Sequence, residues 1–276
     1  MKCPVCNSKG SDYQNIDQYN CLICNECSHI YVDIQNAELL KGLYDYDFYD
    51  KYMQVGYDQA YRLHFKEDFR KKVRLLKKYV KPGSSLLEIG CGPGYFSNLL
   101  QQAGYSVTGV ELNSACKTYA KKHGIAFDNF ICEDISVKDS PLNNIKYDAV
   151  ISWATIEHIA KPIEFMSTLK RYAKKDGYIF IDTGITNNII RGVDSGYSKW
   201  LQPPHHLHVF SVDSLVRVGV LNKLSPVVFY KWFNSNGLID KVIRLSKIFV
   251  RVVLNLALHK KKEGFIAVVG LIIFRK

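Results

Sequence analysis

The chain has 276 residues, 47% hydrophobic and 23% charged, which is enough apolar content for a large core and excludes a disordered or fibrous protein. Its 37 Lys/Arg against 26 Asp/Glu give a formal charge of +11, of which +8 sits in the last 36 residues (nine Lys/Arg against Glu263 alone) and only +3 in the first 240. A general polyanion-binding surface is therefore not implied.

The opening MKCPVCNSKG has no apolar run of the kind a secretory leader carries, and Gly264 to Phe274, the longest apolar stretch, is about half of what a membrane-spanning helix needs. The expectation is a cytoplasmic protein. In a reducing compartment its eight cysteines are expected as metal ligands or small buried residues rather than disulfides.

Cys3-Pro-Val-Cys6 and Cys24-Asn-Glu-Cys27 are two C-x-x-C pairs separated by 17 residues, the spacing of a zinc ribbon. Each pair puts two thiolates on one tight turn, and the stretch around Tyr13 to Tyr19 is long enough for a hairpin that brings the turns together. Cys21 and His29 are alternative ligands. Cys24 and Cys27 are preferred because the strand-like Ile30-Tyr31-Val32 follows at once. Four thiolates leave no open coordination position, so the expected Zn2+ is structural. Residues 1–35 are read as this module.

Residues 36–80 read as a helical linker or lid, with tyrosines at 44, 46, 49, 52, 57 and 61 and a basic helical pattern running to about Val80. After the Lys81-Pro-Gly-Ser break, a buried strand, Ser85 to Gly90, runs into Cys91-Gly92-Pro93-Gly94-Tyr95-Phe96, a glycine-rich turn opening a helix over Tyr95 to Ala103. A second strand, Ser106 to Val110, ends in Glu111, where a carboxylate grips ribose hydroxyls in dinucleotide-type folds. The turn is G-x-G-x-G rather than G-x-G-x-x-G, with Tyr95 where the third glycine of the dinucleotide fingerprint would fall.

Glu88-Ile-Gly90-Cys-Gly92-Pro-Gly94 followed by Glu111 resembles the class I S-adenosylmethionine-dependent methyltransferases. That resemblance implies an α/β, Rossmann-like seven-stranded sheet with helices on both faces, occupying residues 81–276. It also implies S-adenosyl-L-methionine contacts from Glu88, Gly90, Gly92, Gly94, Glu111 and Leu112. Phe127 to Ile131 reads as a third strand, and Cys132-Glu133-Asp134-Ile135 matches the family's acidic loop, with Asp134 on the adenine amine and Ile135 beside the ring. Tyr147 to Ser152 is a fourth strand. Trp153 opens the segment that lines the methionine end, and a fifth strand, Tyr178 to Asp182, follows a helix from Pro162 to Ala173. Glu157-His158 reads as a local helix-start interaction.

Ser152-Trp153-Ala154-Thr155 lacks the Asp/Asn-Pro-Pro-Tyr/Phe of enzymes that methylate base amines and the Pro-Cys of cytosine C5 enzymes. Small-molecule or glycan acceptors are expected instead. In Pro203-Pro204-His205-His206-Leu207-His208-Val-Phe210-Ser211, three imidazoles in four residues suit removal of a proton from an acceptor. The string resembles the Pro-Pro-x-His-Leu-His-x-Phe-Ser segment of zinc-knuckle methyltransferases acting on sugars and related metabolites. The resemblance makes His206 the base, with His205 beside the substrate where that family commonly has Glu. His205 and His208 are alternatively caps of a helix over Val212 to Val218.

Polar residues at 241, 244, 247, 251 and 255 predict an amphipathic, largely basic helix over 237–258. It would pack on the core or lie on an acidic membrane surface through residues 237–262. A final strand is expected over Phe265 to Phe274. The sequence thus points to methyl transfer onto oxygen or carbon of a small molecule, such as a sugar nucleotide or surface-polysaccharide precursor. A nucleic-acid-binding ribbon protein, with or without RNA methylation, is the rival.

Overall fold

A computed structural model of the chain describes residues 1–34, 65–135, 140–186, 200–232, 239–244 and 268–276. The tyrosines between 44 and 61 lie outside them. In chain order, β1 (Gly10–Ile16), β2 (Tyr19–Cys24) and β3 (Ile30–Val32) precede α1 (Lys66–Leu76), β4 (Ser85–Ile89), α2 (Tyr95–Gln102), β5 (Ser106–Glu111) and α3 (Ser114–Lys122). Next come β6 (Asn129–Cys132), β7 (Tyr147–Trp153), one turn of 3-10 helix (Ile156–His158), α4 (Pro162–Tyr172) and β8 (Ala173–Thr186). Then follow β9 (His208–Ser211), α5 (Val212–Leu221), β10 (Ser225–Trp232), β11 (Ile239–Arg244) and β12 (Val268–Arg275).

The chain divides into two compact units. The first takes residues 39–153 and 171–179. Its strands are parallel: β4 pairs with β5 on one side (Leu87 opposite Thr108) and with β7 on the other (Leu87 opposite Val150), and β5 pairs with β6 (Gly109 opposite Phe130). Parallel strands covered on both faces carry near-continuous apolar runs, and Leu86, Leu87, Val107, Ala149, Val150 and Ile151 are all fully buried. Asn113 opens α3 by accepting the amide of Ala115 on its side chain at 2.7 Å, an N-cap of the usual polar type. The alternation of strand and helix is the Rossmann-like arrangement expected of this segment. The third strand begins at Asn129 rather than Phe127, because the Phe127 ring folds over two glycines, as described below.

The second unit takes residues 1–38, 154–170 and 180–276, and β8 passes from the first unit into it. β1, β2 and β3 form an antiparallel meander. Strand β3 then pairs antiparallel with β9 (Ile30 opposite Val209, Tyr31 opposite His208), and β9 runs parallel to the end of β8 (Ile185 opposite Phe210). An apolar cluster of Cys21, Ile23, Ile30, Val32, Leu201 and Val209 unites the ribbon strands with the histidine segment. The cap of α5 is Ser211, in a reciprocal box with Ser214; His205 and His208 do not cap it.

The C-terminal stretch departs from expectation. Ile239–Arg244 is a strand, antiparallel to β10 with Ile243 opposite Phe229 and Val242 opposite Tyr230, where the polar spacing predicts a helix. Ile239, Val242 and Ile243 are β-branched and suit a pleated edge, and β10 offers the backbone partners. The basic stripe of a helix over 237–258 therefore does not form across these residues. The remainder of 237–262 lies outside the described residues. β12 supplies the expected final strand, antiparallel to β10.

Candidate active site and metal centre

The four predicted ligands come together. The sulfur of Cys3 lies 3.8 Å from that of Cys27, Cys6 lies 3.4 Å from Cys24 and 3.5 Å from Cys27, and all four sulfurs fall within 4.8 Å of one another. Thiolates about 2.3 Å from a tetrahedral zinc lie about 3.8 Å apart, so the set fits the ion in both number and spacing. The two turns are built alike: the residue after each second cysteine, Asn7 and Ser28, has left-handed φ (62° and 54°). Amides of Val5 and Cys27 point at the sulfurs of Cys3 and Cys24 at 3.4 and 3.5 Å. Neither alternative ligand joins the cluster. Cys21 is buried in the apolar cluster, and His29 faces His208.

In the parallel unit, Gly90, Gly92 and Gly94 all have left-handed φ (73°, 53° and 84°). At Gly94 a Cβ would also lie 2.2 Å from the Phe127 ring, and at Gly109 2.8 Å from the same ring. Both positions therefore need glycine where Phe127 closes down. Glu111 ties the turn to the next loop: one carboxylate oxygen accepts from the Gly92 amide at 2.9 Å and the other from Asn113 at 3.1 Å. Burial raises its pKa, against the pull of those amides. Beside it Leu112 stands 58% exposed, an apolar side chain open to a planar ligand. Asp134 is exposed and Ile135 buried.

Glu88 is buried and accepts a hydrogen bond from the Ser97 hydroxyl on α2. Burial pushes its carboxyl up to about 8, the Ser97 hydroxyl and Lys72 opposing. Because the folded chain then holds a proton that the unfolded chain releases near 4.5, stability falls as pH rises from about 4.5 to about 8. Glu88→Gln is expected to flatten the melting temperature against pH over that range. An unchanged slope would show that Glu88 does not carry the proton.

Two residues of this unit carry no sequence signal. Lys72 belongs to the expected basic face of α1, yet it is 6% exposed, 3.0 Å from Asp68, with its ammonium 4.9 Å from the centre of the Trp153 ring. Phe96 packs edge-on against Trp153 at 5.4 Å and against Phe69 at 5.2 Å. Ser152 is the other. At the C-terminal end of β7 its hydroxyl is buried and has no hydrogen-bond partner among the described residues. Ligands of open parallel sheets bind outside these strand ends, so the unpaired hydroxyl fits a group supplied by a bound cofactor.

The second unit assembles the histidines. His206 Nδ1 lies 2.5 Å from the Trp200 carbonyl. A carbonyl only accepts, so Nδ1 carries the proton and Nε2 is left as the acceptor. Gly184 lets the Trp200 ring approach, since a Cβ there would lie 2.7 Å from it. His158 makes the equivalent bond to the His205 carbonyl at 2.9 Å and packs edge-on against His206, ring centres 4.6 Å apart. Glu157, His158 and His206 each bring an oxygen or ring nitrogen within 4.8 Å of the others.

Glu157 is thus more than a local helix-start residue. It is 2% exposed, with one oxygen accepting from Thr183 at 2.9 Å and the other without a partner among the described residues. Burial pushes it up to about 7, with His206 pulling the other way, and burial lowers His206. His205 is half-buried, its pKa lowered by burial.

A parallel sheet with a left-handed glycine turn after its first strand and a buried acid ending the next defines a Rossmann-like, nucleoside-binding α/β protein. Residues 59–219, more than half of the chain, match the family model of a methyltransferase domain, and the chain belongs to that family. The ubiquinone biosynthesis O-methyltransferase of Haemophilus ducreyi is 30% identical over 107 residues, covering 37% of this chain and 45% of that protein. Its counterpart in Nitrosomonas europaea is 25% identical over 154 residues, 50% of this chain and 66% of that one. The chain spans about half the length of most of the curated relatives it matches.

Among solved structures, the Burkholderia thailandensis 1,6-didemethyltoxoflavin-N1-methyltransferase, with bound 1,6-didemethyltoxoflavin and S-adenosylhomocysteine, has a TM-score of 0.60 at 12% identity, over 96% of this chain and 99% of that one. An S-adenosylmethionine-dependent methyltransferase from Mesorhizobium loti has a TM-score of 0.52 at 15% identity, over 75% and 96%. These likenesses establish the fold. No helix among the described residues is long and apolar enough to cross a membrane.

Proposed function

We propose that this protein transfers a methyl group from S-adenosyl-L-methionine to oxygen or carbon of a small-molecule acceptor, with His206 as general base and Zn2+ held structurally by Cys3, Cys6, Cys24 and Cys27. The proposal rests on one observation joined to family membership: the Trp200 carbonyl holds the proton of His206 on Nδ1, so Nε2 is ready to take another.

S-adenosyl-L-methionine supplies an electrophilic methyl group. The chain's own residues bind, orient and manage a proton. The backbone at Gly90, Gly92 and Gly94 allows close approach, and Glu111, held by two amides, keeps lone pairs for ribose hydroxyls. Leu112 and Ile135 suit the two faces of an adenine ring, with Asp134 accepting from its amine. Glu88, Trp153 and Ser152 suit the amino acid end. His206 Nε2 accepts the acceptor's proton, and Glu157, which holds His206 above where burial alone would leave it, steadies the resulting imidazolium. His205 suits acceptor contact.

The segment from Pro203 to Ser211 supports a sugar nucleotide or surface-polysaccharide precursor as acceptor, whereas the curated relatives carry names from ubiquinone biosynthesis. Incubation with methyl-labelled cofactor and a panel holding nucleotide sugars and prenylated phenols separates the two. Label is expected in one class, at a hydroxyl or at a carbon next to a carbonyl. Label in neither, with cofactor bound, would defeat the small-molecule reading.

A further inference from the structure

His29 follows the last cysteine of the second knuckle by two positions and is completely buried. Its ring lies 5.9 Å from Tyr31, 4.6 Å from Phe210 and 5.1 Å from His208. An apolar side chain would satisfy such packing. Two facing imidazoles in a dry site cost free energy unless their nitrogens are paired, and here they are. His208 Nε2 lies 2.9 Å from the Ile159 carbonyl, which only accepts. His208 Nδ1 is therefore an acceptor, and His29 Nε2 donates to it at 3.1 Å. On the far side His29 Nδ1 faces the Ser214 hydroxyl at 3.4 Å. The Ser214 hydroxyl also lies 3.0 Å from the Ser211 carbonyl, to which it donates, so the directed part of the hydrogen-bond chain runs from His29 through His208 to the turn after Ile156–His158.

The backbone repeats the connection. Val32 of the ribbon donates to the Leu207 carbonyl at 3.0 Å, and Leu207 in turn donates to the Glu157 carbonyl at 2.8 Å. The Ser211 hydroxyl donates to the Cys27 carbonyl at 2.6 Å. His206 therefore sits one residue from a segment clamped between the knuckle and Glu157.

We infer that His29 is a positioning residue for the acceptor base: through His208 it fixes the His206 segment to the cysteine module, so the module is part of the catalytic scaffold and not an appended domain. This rests on the reading of His206 as base, but its test need not.

The test compares His29→Phe, which keeps the ring contacts and removes the donor, with His29→Gln, which keeps a donor, by amide hydrogen exchange on the full zinc-loaded chain. In His29→Phe the peptide spanning 200–211 is expected to exchange about tenfold faster, with 85–111 unchanged and zinc content unaltered. His29→Gln is expected to match the parent chain. On an acceptor found with the panel above, His29→Phe should lose about tenfold in kcat with cofactor affinity intact, and His29→Gln should restore it. Unchanged exchange over 200–211 in His29→Phe, or equal loss in both variants, overturns the inference. If His29→Phe does not fold, His29→Gln decides alone: parental exchange and rate uphold it, and loss of either overturns it. Absence of methyl transfer in the parent chain would count against the functional reading only, since the exchange measurement stands without it.

Discussion

His206→Ala is expected to lower kcat by about 10² to 10⁴, the range a positioned general base contributes, while S-adenosylhomocysteine binds as it does to the parent chain in calorimetry. The imidazole is fixed in one tautomer by Trp200, and burial holds its pKa below 6.5. A base must be neutral to work, so activity should persist below pH 6.5 and fall only as the pH drops through that lowered value. Glu157 acts in the opposite sense, its carboxylate favouring the imidazolium, but burial pushes its own pKa up to about 7, so it is protonated over the range in which His206 titrates. Glu157→Gln should therefore leave the acidic limb in place and lower the plateau above about pH 7, where the parent chain has the carboxylate. Full activity in His206→Ala would remove it as base. A plateau above about pH 7 that is unchanged in Glu157→Gln would break the pairing of the two residues.

Metal analysis of the purified chain is expected to give about one zinc per chain, and Cys24→Ser to lose it. The hairpin of β1 and β2 with the short β3 has a small core of its own and shares Leu201 and Val209 with the rest of its unit. Modules of this size depend on their metal for folding. Loss of the ion is expected to lower the melting temperature by about 10 °C and to make the N-terminal 34 residues the first site of proteolysis. A folded, protease-resistant, metal-free chain would refute the zinc centre.

What could be read in the sequence was local. The two C-x-x-C turns, the glycine turn and the acid ending the next strand each lie within a few residues of the groups they organise, and spacing alone places them. Phe127 is apolar and next to a strand, so its neighbourhood reads as strand, whereas its ring is needed over Gly94 and Gly109, a demand set by a turn 33 positions earlier. Glu157 reads locally as a helix-start residue because its partners, Thr183 and His206, come from later segments. The His29–His208 pair, 179 residues apart, has no local signature at all. In Ile239–Arg244 the polar periodicity and the β-branched content disagree, and pairing with β10 decides for the strand.

That separation of 179 residues also sets an order of events during synthesis. At roughly 5–20 residues per second on the ribosome, the ribbon strand Ile30–Val32 emerges about 10–40 s before Val209, the residue it will pair with. Until then its outer edge is an unpaired apolar template, the kind that invites association with other nascent chains. A metal taken up early by the two cysteine turns would hold β1 and β2 folded through that interval, leaving one short, three-residue edge open to mispairing.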